Sequence, residues 1–184
     1  MSSIGSTYPA RRFVVALPAR EAVRVAVDVL GREGFSLEAW DVDPFLREYG
    51  PWTGAALRRG HAIKLILLTP VVYMVAPLAL LFPWVRRSLG VVKMVAMARD
   101  IGQGRSELLV GAYRIESEWI SSGAVAAAKM LIATRERMGD LGVLLVADPE
   151  QVDRYEGLPD DHPFQMQQWW RIRRAAQKAA RSRH

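Results

Sequence analysis

LILLTPVVYMVAPLALLFPWV, residues 65–85, contains no charged side chain. The fold turns on where this run goes, because a stretch so apolar must be buried in protein or placed in lipid. Residues 65–83 alone would make a helix of roughly 28 Å, close to the ~30 Å hydrocarbon core of a bilayer. Pro70 and Pro77 lie inside the run, and each removes a helical hydrogen bond. Two complete crossings need about 40 residues, more than the run supplies. Arg58, Arg59 and Lys64 precede it and Arg86, Arg87 and Lys93 follow it, so both ends carry the basic flank that favours the cytoplasmic side.

Either side of the run, the sequence reads as strand, helix, strand. Arg12–Leu17 (RFVVAL) predicts a strand, and Ala19–Glu33 an amphipathic helix stopped at Gly34. Phe35–Val42 (FSLEAWDV) predicts a half-buried second strand. Further on, Glu107–Ile115 predicts a strand and Glu118–Met138 a helix, with Ser121 or Ser122 as its N-cap and Gly139 as its stop. Leu141–Ala147 (LGVLLVA) has no polar residue, as expected of a central strand covered on both faces. The order β-α-β, insertion, β-α-β is that of a ferredoxin-like split fold, an α+β domain with four antiparallel strands and two helices on one face.

The expected division is a flexible N-terminus over 1–11, a first β-α-β half over 12–54, an inserted hydrophobic hairpin or membrane segment over 55–104, and a second half over 105–148. An acidic loop over 149–162 and a basic, Trp-containing amphipathic helix over 163–184 follow. If the two halves share a sheet, the chain enters and leaves any membrane on the same side. That favours a re-entrant hairpin over a single-pass helix. The residues expected to insert are Leu65, Ile66, Leu67, Leu68, Pro70, Tyr73, Pro77, Leu80, Leu81, Phe82 and Trp84.

The net charge of +6 is confined to one end of the sequence. Arg171, Arg173, Arg174, Lys178, Arg181 and Arg183 carry the whole surplus, and the rest balances. A localised basic segment points to anionic lipid, nucleic acid or an acidic partner. Trp169, Trp170, Arg171, Ile172, Arg173 and Arg174 combine interfacial aromatics with phosphate-pairing cations, and read as an interfacial anchor. A terminal helix docked on the domain by its tryptophans, or a nucleic-acid contact, would use the same residues. The chain has no cysteine, which excludes disulfides and thiolate metal sites and fits a reducing compartment. Arginine far outnumbers lysine among many Ala and Val, a composition suggestive of a GC-rich bacterial genome. MSSIGSTYPARR lacks the apolar stretch of a secretory signal and the glycine of a myristoylation site.

Candidate chemical groups are sparse. Asp160-Asp161-His162 is the one acid–histidine cluster, but three consecutive residues in a proline-bounded loop read better as local capping groups than as a metal site. His61, between Arg59 and Lys64, reads as a residue of the membrane edge. Gly102-Gln103-Gly104 precedes a strand, whereas a dinucleotide loop follows one, so it reads as a linker back into the domain. Glu116 and Glu118 could pair as catalytic carboxylates, although such a pair is more often a solvated strand end. Phe13 and Tyr113 are the only aromatics on the strands that an RNA-recognition sheet would use.

No catalytic, metal or cofactor set assembles from these residues, so the leading expectation is non-enzymatic. It is a small accessory, scaffold or regulatory protein of the inner (cytoplasmic) membrane, with its domain and both termini facing the cytoplasm. The expected partners are membrane lipid and another membrane protein, with homo-oligomerisation possible and nucleic acid the weakest candidate. The alternatives are an enzyme acting on a lipid-linked or membrane-soluble substrate, and a nucleic-acid module using the basic tail. Salt separates them, because electrostatic binding weakens steeply with ionic strength and an inserted hairpin does not.

Overall fold

The computed structural model describes residues 10–39, 41–47, 50–60, 91–116 and 120–147. They form a six-stranded antiparallel sheet with two long helices. Chain order is β1 (Ala10–Val15), α1 (Ala19–Arg32), β2 (Ser36–Leu37), the single turn α2 (Asp43–Leu46), β3 (Trp52–Arg59), β4 (Val91–Gly102), β5 (Arg105–Glu116), α3 (Ile120–Asp140) and β6 (Leu144–Ala147). The strands lie in the order β2-β3-β4-β5-β1-β6. α1 is followed by β2, α2 and β3 before the chain reaches β4, which β5 separates from β1; β5 and β6, joined through α3, are separated by β1.

Both long helices cover one face. Ala22, Val23, Ala26, Val29 and Leu30 line the inner side of α1 at helical spacing, and Ala127, Met130, Leu131 and Met138 do so in α3. They meet Phe13 and Val15 of β1, Leu108 and Val110 of β5, and Val92, Met94, Ala96 and Ala98 of β4, residues that alternate along their strands. Each large side chain so buried contributes about 1.5–3 kcal/mol.

Both helices stop by the same device. Gly34 and Gly142 have φ of 85° and 67°. Phe35 N–H donates to Leu30 O and Gly34 N–H to Gly31 O; Val143 N–H donates to Met138 O and Gly142 N–H to Gly139 O. These paired bonds are Schellman caps, which satisfy the last free carbonyls where glycine tolerates the left-handed conformation. Gly34 is the stop expected from sequence, whereas the second helix ends at Gly142 rather than Gly139.

Several expectations need correction. Segment 55–104, read as an insertion, contains five of the eight residues of β3 and the whole of β4. Among the described residues of Phe35–Val42 only Ser36–Leu37 is strand, and β6 is an edge strand with Leu145 and Val146 exposed, not a doubly covered centre. The doubly covered strand is β4, in which every residue from Val91 to Ala98 is buried. Gly102-Gln103-Gly104 is no linker. Gln103 and Gly104 both have positive φ, at 55° and 67°, and make the tight turn of the β4–β5 hairpin, closed by the Gly102–Arg105 pair. Among the described residues no helix is long and apolar enough to cross a membrane, so the fold lends the inserted membrane segment no support. The run 65–85 and the segment 163–184 lie outside the described residues.

Gly54 of β3 has no room for a side chain: a Cβ there would stand 2.8 Å from Leu46 Cδ1, 2.9 Å from Ala96 O and 3.0 Å from Met97 Cβ. Gly31, inside α1, has open space around it. Gly54→Ala should lower stability by about 1–3 kcal/mol through overpacking, and Gly31→Ala should raise it by up to about 1 kcal/mol. Thermal or urea unfolding of the two variants beside the parent chain checks both signs.

Candidate functional site

The sheet face away from the helices carries the polar chemistry of the domain. Its centre is apolar: Val42 and Leu46 lie over Trp52, Ala56, Val95, Met97 and Leu109. The segment between β2 and β3 is thus a lid of protein on this face. It is tied down at Asp43, whose carboxylate accepts from Thr53 Oγ1 at 3.0 Å and from Gly54 N at 2.8 Å.

Two ion systems flank that apolar centre. In the first, Lys93 Nζ lies 3.0 Å from Glu38 Oε1, with side-chain exposures of 8% and 7%, and Tyr113 Oη donates to Glu38 Oε2 at 2.8 Å. A β-bulge at this point lets Lys93 pair with Arg114 and Met94 with Ala112, leaving Tyr113 as the extra residue. Bulges re-aim side chains, and here the phenol reaches the same carboxylate as the lysine. Lys93 had read as one of the basic residues flanking the apolar run. It is instead a buried, paired residue of the central sheet.

The second system crosses four strands. Arg99 Nε donates to Glu107 Oε2 at 2.7 Å, Arg12 Nη1 stands 3.8 Å from Glu107 Oε1, and the Arg99 guanidinium lies 4.9 Å from the centre of the Trp52 ring. The Glu107 side chain is 7% exposed, so its charge is held by the arginines rather than by water.

The open chemistry lies at the rim of the sheet beyond this second system, in a cleft of about 400 Å³ where the start of α1 meets α2 and the start of β3. Its walls include Arg20, Asp43, Arg47, Trp52, Thr53 and Asp100. Pro18 precedes α1 without a side-chain cap, and Asp100 Oδ1 of β4 takes that role by accepting from Ala19 N at 2.8 Å. The first free amide of the helix is thereby satisfied from a residue far away in sequence. Arg20 and Arg47 are exposed and have no partner among the described residues.

None of these groups was legible as a site, because each system draws its members from segments far apart in the chain. Of the residues singled out from sequence, Phe13 is buried under the helices and Tyr113 is half-buried with its hydroxyl bonded to Glu38. Glu116 ends β5, opposite Val91. Glu118, His61, Asp160, Asp161 and His162 lie outside the described residues, as do the inserting residues from Leu65 to Trp84 and the anchor residues Trp169 to Arg174. Among the described residues no group of acids and histidines could hold a metal ion. No known protein family, curated protein or solved structure matches this chain.

Breaking the first ion system at one partner should be costly. Lys93→Met leaves the Glu38 carboxylate buried without its counter-ion, a change expected to lower stability by about 3 kcal/mol or more. Adding Glu38→Gln, which keeps an acceptor for Tyr113 while removing the charge, should recover a large part of that loss. A double-mutant cycle by denaturant unfolding measures the coupling.

Proposed function

We propose that this chain is a small membrane-attached accessory protein whose α+β domain stands on the cytoplasmic face of the inner membrane and binds another protein there. The place of β1, β4, β5 and β6 in the sheet, with both long helices on one face, supports a ferredoxin-like reading of the domain, widened at one edge by β2 and β3. The observation that carries the reading is the β3–β4 ladder. Its last pair is Arg59 with Val92, so the chain leaves the sheet after β3 and returns to it at the neighbouring position. Between these points lie residues 61–90, with the uncharged run 65–85 among them. A segment whose ends are ladder neighbours starts and finishes on one side of a bilayer, and it is too short for two full crossings. A shallow, re-entrant insertion satisfies both conditions, whereas a single crossing would put the two ends on opposite sides.

Chain direction supports the same orientation. The start of β1, the end of β3, the start of β4, and the ends of β5 and β6 all lie toward one end of the sheet, as their antiparallel registers require. The apolar run and the Trp- and Arg-rich segment 169–174 therefore connect to the domain from the same end. A domain standing on that end would bring both to one membrane surface, where the basic segment gains about 1 kcal/mol per charge beside anionic lipid.

The β3–β4 register supplies the test. Replacing residues 61–90 by Asn-Gly would join Gly60 to Val91 through a two-residue hairpin of favoured type. The parent chain should stay with membranes through a carbonate wash. The shortened chain should remain folded by circular dichroism and be released by carbonate. Release of the parent chain, or retention of the folded short chain, would remove the hairpin as the anchor. Because the chain has no cysteine, single cysteines introduced at Arg58 and Arg105 can be labelled in intact cells and inverted vesicles. Both should react only from the cytoplasmic side.

A further inference from the structure

We infer that the partner protein adds a strand to the free edge of β6, as an extended, uncharged segment lying antiparallel to Leu144–Ala147. The inference names the partner segment of the proposed adaptor function and rests on that reading, while its test does not require membrane attachment.

The sheet has two edges, β2 and β6. The β2 edge is two residues long and runs into Glu38, which is bound to Lys93 and Tyr113. The β6 edge differs in kind. Among the described residues β6 pairs only with β1. No charged residue or proline lies between Leu141 and Ala147, and Leu145 and Val146 are 47% and 54% exposed. Of the devices that keep an edge from pairing, namely charge, proline and a bulge, β6 carries only a bulge at Leu145.

The register fixes where its free hydrogen-bonding groups point. Ala16 N–H donates to Val143 O. Ala16 and, two residues earlier, Val14 therefore turn their backbone groups toward β6, while Phe13 and Val15 turn theirs toward β5. Leu144 lies opposite Val15, and Ala147 opposite Phe13. Both accordingly direct their own N–H and C=O away from β1, to the open side. Their side chains share the helix face, packed beside the core that holds Phe13 and Val15. The edge thus presents two donors and two acceptors in strand geometry beside two exposed apolar side chains. Extended backbone is the ligand with complementary groups, and uncharged side chains are the ones that Leu145 and Val146 accommodate.

A second copy standing on the same membrane does not fit this edge. Antiparallel pairing is the rule in this sheet and the more stable geometry. It would reverse the copy and turn the end that bears residues 61–90 away from the bilayer. Four residues, roughly 13 Å of strand, also contribute far less than the ~1,200 Å² of a stable dimer. A partner held at the same membrane needs no such area, because attachment raises its effective concentration. Since β6 runs toward the membrane end of the sheet, a segment antiparallel to it runs away from the bilayer. It is the stretch of the partner that follows a membrane span ending on the cytoplasmic side.

The test uses the full chain in mild detergent and a fluorescein-labelled heptapeptide, Thr-Val-Thr-Val-Thr-Val-Thr. The comparator is the same peptide N-methylated at each residue, which keeps the side chains and removes the donors. The unmodified peptide should bind, and the methylated one about tenfold or more less tightly. Leu145→Lys with Val146→Lys should weaken binding about tenfold, by placing charge on the edge. Ile101→Lys, at a residue about as exposed beside the β4–β5 turn, should leave it unchanged. Circular dichroism and thermal unfolding confirm that each variant is folded. Hydrogen exchange on the parent chain gives an independent reading, with the Leu144 and Ala147 amides exchanging freely alone and slowly with peptide. Absence of binding by the parent chain would overturn the inference. Equal binding of the methylated peptide, or equal binding by the doubly substituted chain, would do the same. So would slow exchange of both amides without peptide, because the chain itself would then occupy the edge. A membrane partner that co-purifies equally with the parent and the doubly substituted chain would remove β6 from the adaptor reading and leave that reading standing.

Discussion

The ladder between β3 and β4, running from the Trp52–Arg99 pair to the Arg59–Val92 pair, is the constraint on which the other features depend. At one end it holds together the two points between which residues 61–90 run. At the other it brings Trp52 beside Arg99 and sets the walls of the cleft. Along its length it carries Gly54, whose missing side chain lets Leu46 and the cover of the second face come down onto the sheet. Slipping this register by one residue would turn Leu57 away from the helices and Ala56 into them, reversing the buried pattern of the whole strand.

Burial of β4 on both faces explains the polar architecture. A strand in that position needs two covers. The helices provide one, with apolar stripes that repeat at helical spacing. The other comes from the segment between β2 and β3, where Val42 and Leu46 lie over the sheet. Their hydrophobic contact is supplemented by directed bonds: Asp43 to Thr53 and Gly54, and Glu38 to Lys93 and Tyr113. A buried carboxylate left without these partners would cost several kcal/mol, so the lid is held in one position.

The two ends of the sheet differ in kind. One end collects the connections to residues 1–9, 61–90 and 148–184. The other is finished by short turns: the β4–β5 hairpin at Gln103-Gly104, the Schellman cap at Gly142, and the start of α1 closed by Asp100. The cleft lined by Arg20 and Arg47 lies at this end, between the start of α1 and the segment leading into β3.

The sequence by itself determined the two long helices and the strands that lead into them. The apolar stripe of Ala19–Glu33 and its Gly34 stop, the β-branched run after Arg12, and the strand–helix pair beginning near Glu107 are local signals, and local chemistry fixes them. The sequence also marks the uncharged run 65–85, whatever becomes of it. Only the tertiary structure decided β3 and β4. WTGAALRR is rich in small residues with little strand preference of their own, and VVKMVAMA, buried on both faces, shows neither the two-residue alternation of a half-exposed strand nor a distinct helical stripe. Lys93 reads as a flanking charge until Glu38 and Tyr113 are brought to it. The cleft was equally hidden, since Arg20, Arg47, Trp52 and Asp100 become neighbours only through strand pairing. Pairing is a long-range choice made by burial and register together, and no local stretch of the chain encodes it.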